Sequence, residues 1–94
     1  MTENEIVDTM YKFAVNEANG EEMLLDVIFN NLTTRQAINK WKSNDPSIVQ
    51  LSIRFNKALE QAKTTTGIKI LKELYQQKYG EIPPATNFDY GRDD

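Results

Sequence analysis

The chain has no cysteine and no histidine among its 94 residues, and these two absences remove most side-chain chemistry at once. Without cysteine there is no disulfide, no thiolate nucleophile and no sulfur-ligated zinc or iron–sulfur site. Without histidine no imidazole titrates near neutral pH, acts as general base or ligates a metal. Proline and glycine are scarce too, at three and four residues, too few for a low-complexity linker. No unbroken apolar run exceeds three residues, far short of the roughly 20 that a bilayer-crossing helix needs. The opening Met1-Thr2-Glu3-Asn4-Glu5 is acidic and lacks the basic-then-apolar order of a secretory signal. With cysteine absent as well, the expectation is a cytoplasmic protein with no membrane association. Glycine-rich phosphate loops and the alternating-Asp calcium loop are missing. The Glu-x-x-His di-metal sites of helical bundles need histidine. These exclusions predict a protein that is not an enzyme, with no catalytic residues, no cofactor and no metal.

What is present looks globular. Hydrophobic residues make up 39 % and charged residues 27 %, near the average for folded domains. Ninety-four residues make one domain, burying roughly 60–65 % of the unfolded surface without a metal or disulfide to help. Frequent Asn, Lys and Ile with little Arg fit an AT-rich genome, such as those of low-GC bacteria and their phages or plasmids.

Helix boundaries are marked along the chain. Thr2 and Glu5 form a capping box before an apolar-periodic stretch in which Ile6, Val7, Met10, Tyr11, Phe13, Ala14 and Ala18 should point inward. Asn19-Gly20 should end this helix, with Gly20 taking the left-handed conformation. Glu21 and Glu22 suit the positive end of a second helix, whose body, residues 23–29, is apolar at six of seven positions and should be the most buried. Thr33 and Gln36 form another capping box, opening a short helix with Ala37, Ile38 and Trp41 inward. Asp45-Pro46 reads as N-cap and first turn of a fourth helix over residues 46–63, with Ile48, Leu51, Phe55, Ala58, Leu59 and Ala62 on one stripe. Val49 and Ile53 fall off that stripe and suggest a second, flanking contact. Thr66 should cap a fifth helix carrying Ile68, Leu71, Leu74, Tyr75 and Tyr79 inward, closed by Gly80 and Pro83-Pro84. No stretch alternates with period two outside a capped helical pattern. The predicted fold is all-α: a compact bundle of four or five short helices over residues 1–80, with a flexible, irregular acidic C-terminal tail over 81–94.

The net charge of −3 conceals a segregated layout. Residues 1–34 sum to −6, residues 35–79 to +6 and residues 80–94 to −3. Either the oppositely charged segments pair within the fold, or the basic segment faces outward toward an anionic partner. The candidate binding residues on a basic face are Arg35, Lys40, Trp41, Lys42, Arg54, Lys57, Lys69 and Lys72. Trp41, flanked by Lys40 and Lys42, fits either a core corner or an interface anchor. Lys78 falls inside its helix's apolar arc and should snorkel. Glu21, Glu22 and Asp26 form a carboxylate group that a helix N-terminus explains without a metal.

The functional expectation is a small regulator, adaptor or inhibitor, of phage or plasmid type, that binds a protein partner through a charged helical face and leaves room for self-association. The alternative is a helix-turn-helix-like nucleic-acid binder, with residues 34–42 as first helix, 43–45 as turn and 46–59 as recognition helix. Its turn lacks glycine and the flanking chain is acidic, which weakens a phosphate grip. The acidic-aromatic tail around Phe88 and Tyr90 is suited to docking on a basic groove, its own or a partner's.

Overall fold

A computed structural model describes residues 2–42 and 47–86. It contains five helices and, among the described residues, no strand: α1 (Glu3–Asn16), α2 (Gly20–Phe29), α3 (Thr34–Trp41), α4 (Ile48–Ala62) and α5 (Thr65–Tyr79). The all-α bundle read from the sequence is the architecture observed.

Both capping boxes form. The Thr2 hydroxyl accepts from the Glu5 N–H while the Glu5 carboxylate accepts from the Thr2 N–H at 2.8 Å, and Thr33 and Gln36 repeat the arrangement at α3. Three other boundaries differ from expectation. Between α1 and α2 it is Asn19, at φ 60°, that takes the left-handed conformation, and Gly20 is the first residue of α2. Gly20 is needed for space: a Cβ there would lie 2.3 Å from the Phe13 carbonyl oxygen. Helix α4 begins at Ile48, with the Ser47 hydroxyl accepting from the Gln50 N–H. The expected Asp45-Pro46 start lies outside the described residues. Helix α5 begins earlier than predicted because Thr64, not Thr66, is its cap. The Thr64 hydroxyl accepts from the Gly67 N–H and donates to the Gln61 carbonyl at 2.7 Å, tying the end of α4 to the start of α5.

Helix α2 is the most buried element. Met23, Leu24, Leu25, Ile28 and Phe29 lie in the core, and α2 touches all four other helices. Helix α4 reaches the same set through Leu51, Phe55, Ala58, Leu59 and Ala62. Phe13 of α1 stacks on Phe55 of α4 with ring centroids 5.3 Å apart, which fixes how these two helices lie together. At the far end Phe29 meets Tyr75 edge-on, and Tyr75 tilts against Tyr79.

Some residues expected to point inward do not. Ile48, the first residue of α4, borders a recess beside α3 and is 41 % exposed. On α1 only Ile6, Met10 and Phe13 are buried; Tyr11 is exposed, and Ala18 lies in the turn beyond the helix end. Tyr79 is also exposed, at the fraying end of α5. Val49 and Ile53, expected to make a flanking contact, are 69 % and 59 % exposed. Gly80 closes α5 with φ 73°, as read. Residues 82–86 have no helix or strand, and the rest of the predicted tail, residues 87–94, lies outside the described residues.

Candidate interaction site

The charge segregation resolves in part into internal pairs. The Glu17 carboxylate, just past α1, takes both prongs of the Arg54 guanidinium on α4: Nε donates to Oε2, and Nη2 to Oε1 at 3.1 Å. Glu22 on α2 pairs with Lys78 on α5 at 2.7 Å, and Asp26 on α2 with Lys40 on α3 at 3.2 Å. Each pair joins an acid of the first segment to a base of the second. Lys78 therefore reaches a counter-ion rather than merely snorkelling. Partial burial works against the charge on Glu22, but the Lys78 ammonium and a backbone N–H outweigh it and hold the carboxyl below its usual value. The same contact raises Lys78 above the ordinary lysine value. Asp8 and Lys12 add a pair within α1, at 3.1 Å, on an exposed face.

Asp26 is the one charged residue buried in the core among the described residues, 4 % exposed. Its side chain accepts from the Trp41 indole N–H, from Asn30 Nδ2 at 2.8 Å and from Lys40. Its backbone carbonyl accepts from the N–H groups of Asn30 and Leu32, both at 3.1 Å, which shapes the turn leaving α2 through Asn31 at φ 62°. One residue thus ends α2 through its main chain and holds α3 through its side chain. Burial pushes the Asp26 carboxyl up, but the donors from Trp41, Asn30 and Lys40 overcome it and bring it below the normal range. The indole of Trp41 is half-buried against the core, Lys40 Nζ sits 4.9 Å from its ring centre, and Asn19 Nδ2 donates to its carbonyl at 3.0 Å.

One sequence feature marks this hub: Asp26 is the lone polar residue in the apolar run 23–29. Of the acids near the start of α2, Glu22 and Asp26 turn to different cationic partners, Lys78 and Lys40. Among the described residues no cluster of three or more acids has the arrangement of a metal site.

The predicted basic residues do not gather on one face. Arg54 and Lys57 border a groove of about 310 Å³ between α1 and α4, floored by Phe13 and flanked by Asp8, Lys12 and Glu17. Arg35 lines a second recess of about 370 Å³, with Ile38, Asn39, Ile48 and Ser52 between α3 and α4. Lys40 and Trp41 belong to the Asp26 hub, Lys42 is the C-cap of α3, and Lys69 and Lys72 lie on α5 beside neither recess. Among the described residues, Lys57 makes no ion pair.

The outer surface of α4 carries what the sequence reading undervalued. Val49 and Ile53 are four residues apart, so they stack along one helix face, and Lys57 continues the same line toward the groove. Residues 34–62 do supply two successive helices, but carboxylates at Asp8 and Glu17 stand across the groove from Arg54 and Lys57. Among the described residues, no helix is long and apolar enough to cross a membrane. Compared with known proteins, the chain matches no family model, no curated protein and no solved structure.

Proposed function

We propose that this chain is a small non-enzymatic interaction protein, a regulator, adaptor or inhibitor, that binds a protein partner through the outward face of α4. The supporting observation is the exposed pair Val49 and Ile53, placed beside Lys57 on a helix whose other face is committed to the core from Leu51 to Ala62. Apolar side chains at this spacing offer a partner helix or loop two anchor points, and the adjacent cation favours an acidic residue opposite. Duplex DNA is the less favoured partner, because the carboxylates of Asp8 and Glu17 would face its phosphates.

The test compares affinity capture from the native host by the wild-type chain and by the Val49→Glu, Ile53→Glu double variant, with matched thermal unfolding. A partner retained by the wild type and lost from the variant is the expected result. Identical capture by both rejects the α4 face. Fluorescence anisotropy with duplex DNA supplies the competing outcome: binding that falls on the order of 10³-fold between about 50 and 200 mM salt would replace the protein partner with nucleic acid.

A further inference from the structure

The five helices are unequally anchored. Helix α3 has eight residues and touches only α2 and α4. It places two side chains fully in the core, Ala37 and Ile38, and the first is a single methyl group. A helix this short does not persist on its own, because nucleation is unfavourable and few hydrogen bonds follow it. Its remaining attachments converge at its C-terminal end: the Trp41 ring half-buried against the core, the Trp41 indole N–H and Lys40 ammonium on the Asp26 carboxylate, and Asn19 on the Trp41 carbonyl. The other four helices share the aromatic stack of Phe13 on Phe55, the Phe29–Tyr75 contact and the Thr64 tie, none of which involves α3.

We propose that α3 opens as a unit of its own while α1, α2, α4 and α5 stay packed, and that the Asp26 carboxylate is the latch that sets how often it opens. Cooperative units of this kind are drawn from segments with few buried apolar contacts. Opening frees Trp41 and Ile38 and uncovers the side of α2 that carries Asp26. The latch depends on charge and acceptor number rather than shape. Asn in place of Asp26 keeps the volume, yet turns an N–H₂ group toward a site whose neighbours, Trp41 Nε1, Asn30 Nδ2 and Lys40 Nζ, are all donors.

Amide hydrogen exchange of the full chain tests this, followed by mass spectrometry or NMR. The probes are the hydrogen-bonded amides of α3, with Ala37 bonded to Thr33 and Lys42 to Ile38 at its two ends. In the wild type these amides should exchange at least tenfold faster, after correction for intrinsic rates, than the core amides around Phe55 and Leu24. In Asp26→Asn they should speed up by a further tenfold or more and stay at least tenfold ahead of the core amides, which exchange through global unfolding and accelerate with the loss of stability. Trp41→Phe leaves the carboxylate in place but removes the indole N–H and part of the ring's packing, and should move α3 in the same direction, which keeps the test decisive if the Asn variant does not fold. Equal protection of α3 and the core in the wild type, or α3 amides that do not accelerate in the variants, would overturn the proposal.

Discussion

Replacing Gly67 by alanine tests how tightly α4 and α5 are joined. Gly67 lies in the first turn of α5 at an ordinary helical φ, so intrinsic propensity favours alanine there by about 1 kcal/mol. The structure opposes that gain. A Cβ at this position would sit 2.2 Å from the Gln61 carbonyl oxygen, 2.7 Å from Ala62 Cα and 2.9 Å from the Ala62 carbonyl carbon. All three atoms are backbone, so no rotamer change relieves the clash, and α4 and α5 must separate. Forced overpacking of this kind costs about 1–3 kcal/mol, and an all-backbone contact belongs at or above the upper end. The net expectation is a loss of about 2 kcal/mol, which lowers the melting temperature by roughly 10 °C for a domain of this size. Circular dichroism melts of Gly67→Ala and Gly80→Ala together isolate the cause. Gly80 has nothing near its would-be Cβ but sits at φ 73°, so its alanine variant should lose only about 1 kcal/mol, from left-handed strain. If Gly67→Ala melts at or above the wild-type temperature, the close approach of the two helices is refuted.

Other consequences concern charge. Asp26 and Glu22 are both held below their usual values in the folded chain, so the stability they contribute is present above pH about 4 and is lost as pH falls through the lower folded values. Urea midpoints should therefore hold steady from about pH 7 to 5 and drop below about pH 4. Lys78 is raised, so its share is present at neutral pH and disappears only as pH climbs past the ordinary lysine value; a midpoint that is flat in strong alkali would contradict the Glu22 contact. Asp26→Asn should lose about 2–3 kcal/mol at pH 7 and show a shallower acid slope; an unchanged slope would mean that Asp26 is not a source of the acid lability. A double-mutant cycle with Glu17→Gln and Arg54→Gln should return a coupling of about 0.5–1 kcal/mol that shrinks in high salt. A coupling of zero would show that the bidentate contact joins α1 to α4 in geometry only.

Local signals in this sequence were reliable because local chemistry decides them. The boxes Thr2–Glu5 and Thr33–Gln36 form since both partners lie within one turn. The stripe from Leu51 to Ala62 is buried because period and composition agree over three turns. Errors arose where two local solutions compete. Thr64, Thr65 and Thr66 can each cap a helix, and Thr64 takes the position with its hydroxyl also bonding back to the Gln61 carbonyl. Asn19 and Gly20 are both able to adopt positive φ; the crowding of Gly20 against Phe13 forced the left-handed step onto Asn19. Tyr11 fitted the apolar arc of α1, but no helix packs over that side to cover it fully. The Asp26 hub was out of reach for a different reason: its partners Trp41 and Lys40 are joined to it by tertiary packing, fifteen residues away for Trp41, and no periodicity carries such information.

The segregated charge then acquires a structural meaning that bears on the partner. Arg54, Lys40 and Lys78 lie on three different helices, and each is bound to an acid of the first segment. Each contact is individually weak, on the order of 1 kcal/mol or less where exposed, yet together they favour one arrangement of helices over its alternatives. What they take from the surface is positive field. Lys57 remains next to Val49 and Ile53, the only adjacent exposed apolar pair of this spacing on α4 among the described residues. Binding that relied on net positive potential would be undercut by this internal pairing, whereas binding through two apolar anchors and one lysine is untouched by it. The proposal of a protein partner rests on that difference, and it implies that adding salt should slow association by far less than replacing Ile53 with glutamate weakens the complex.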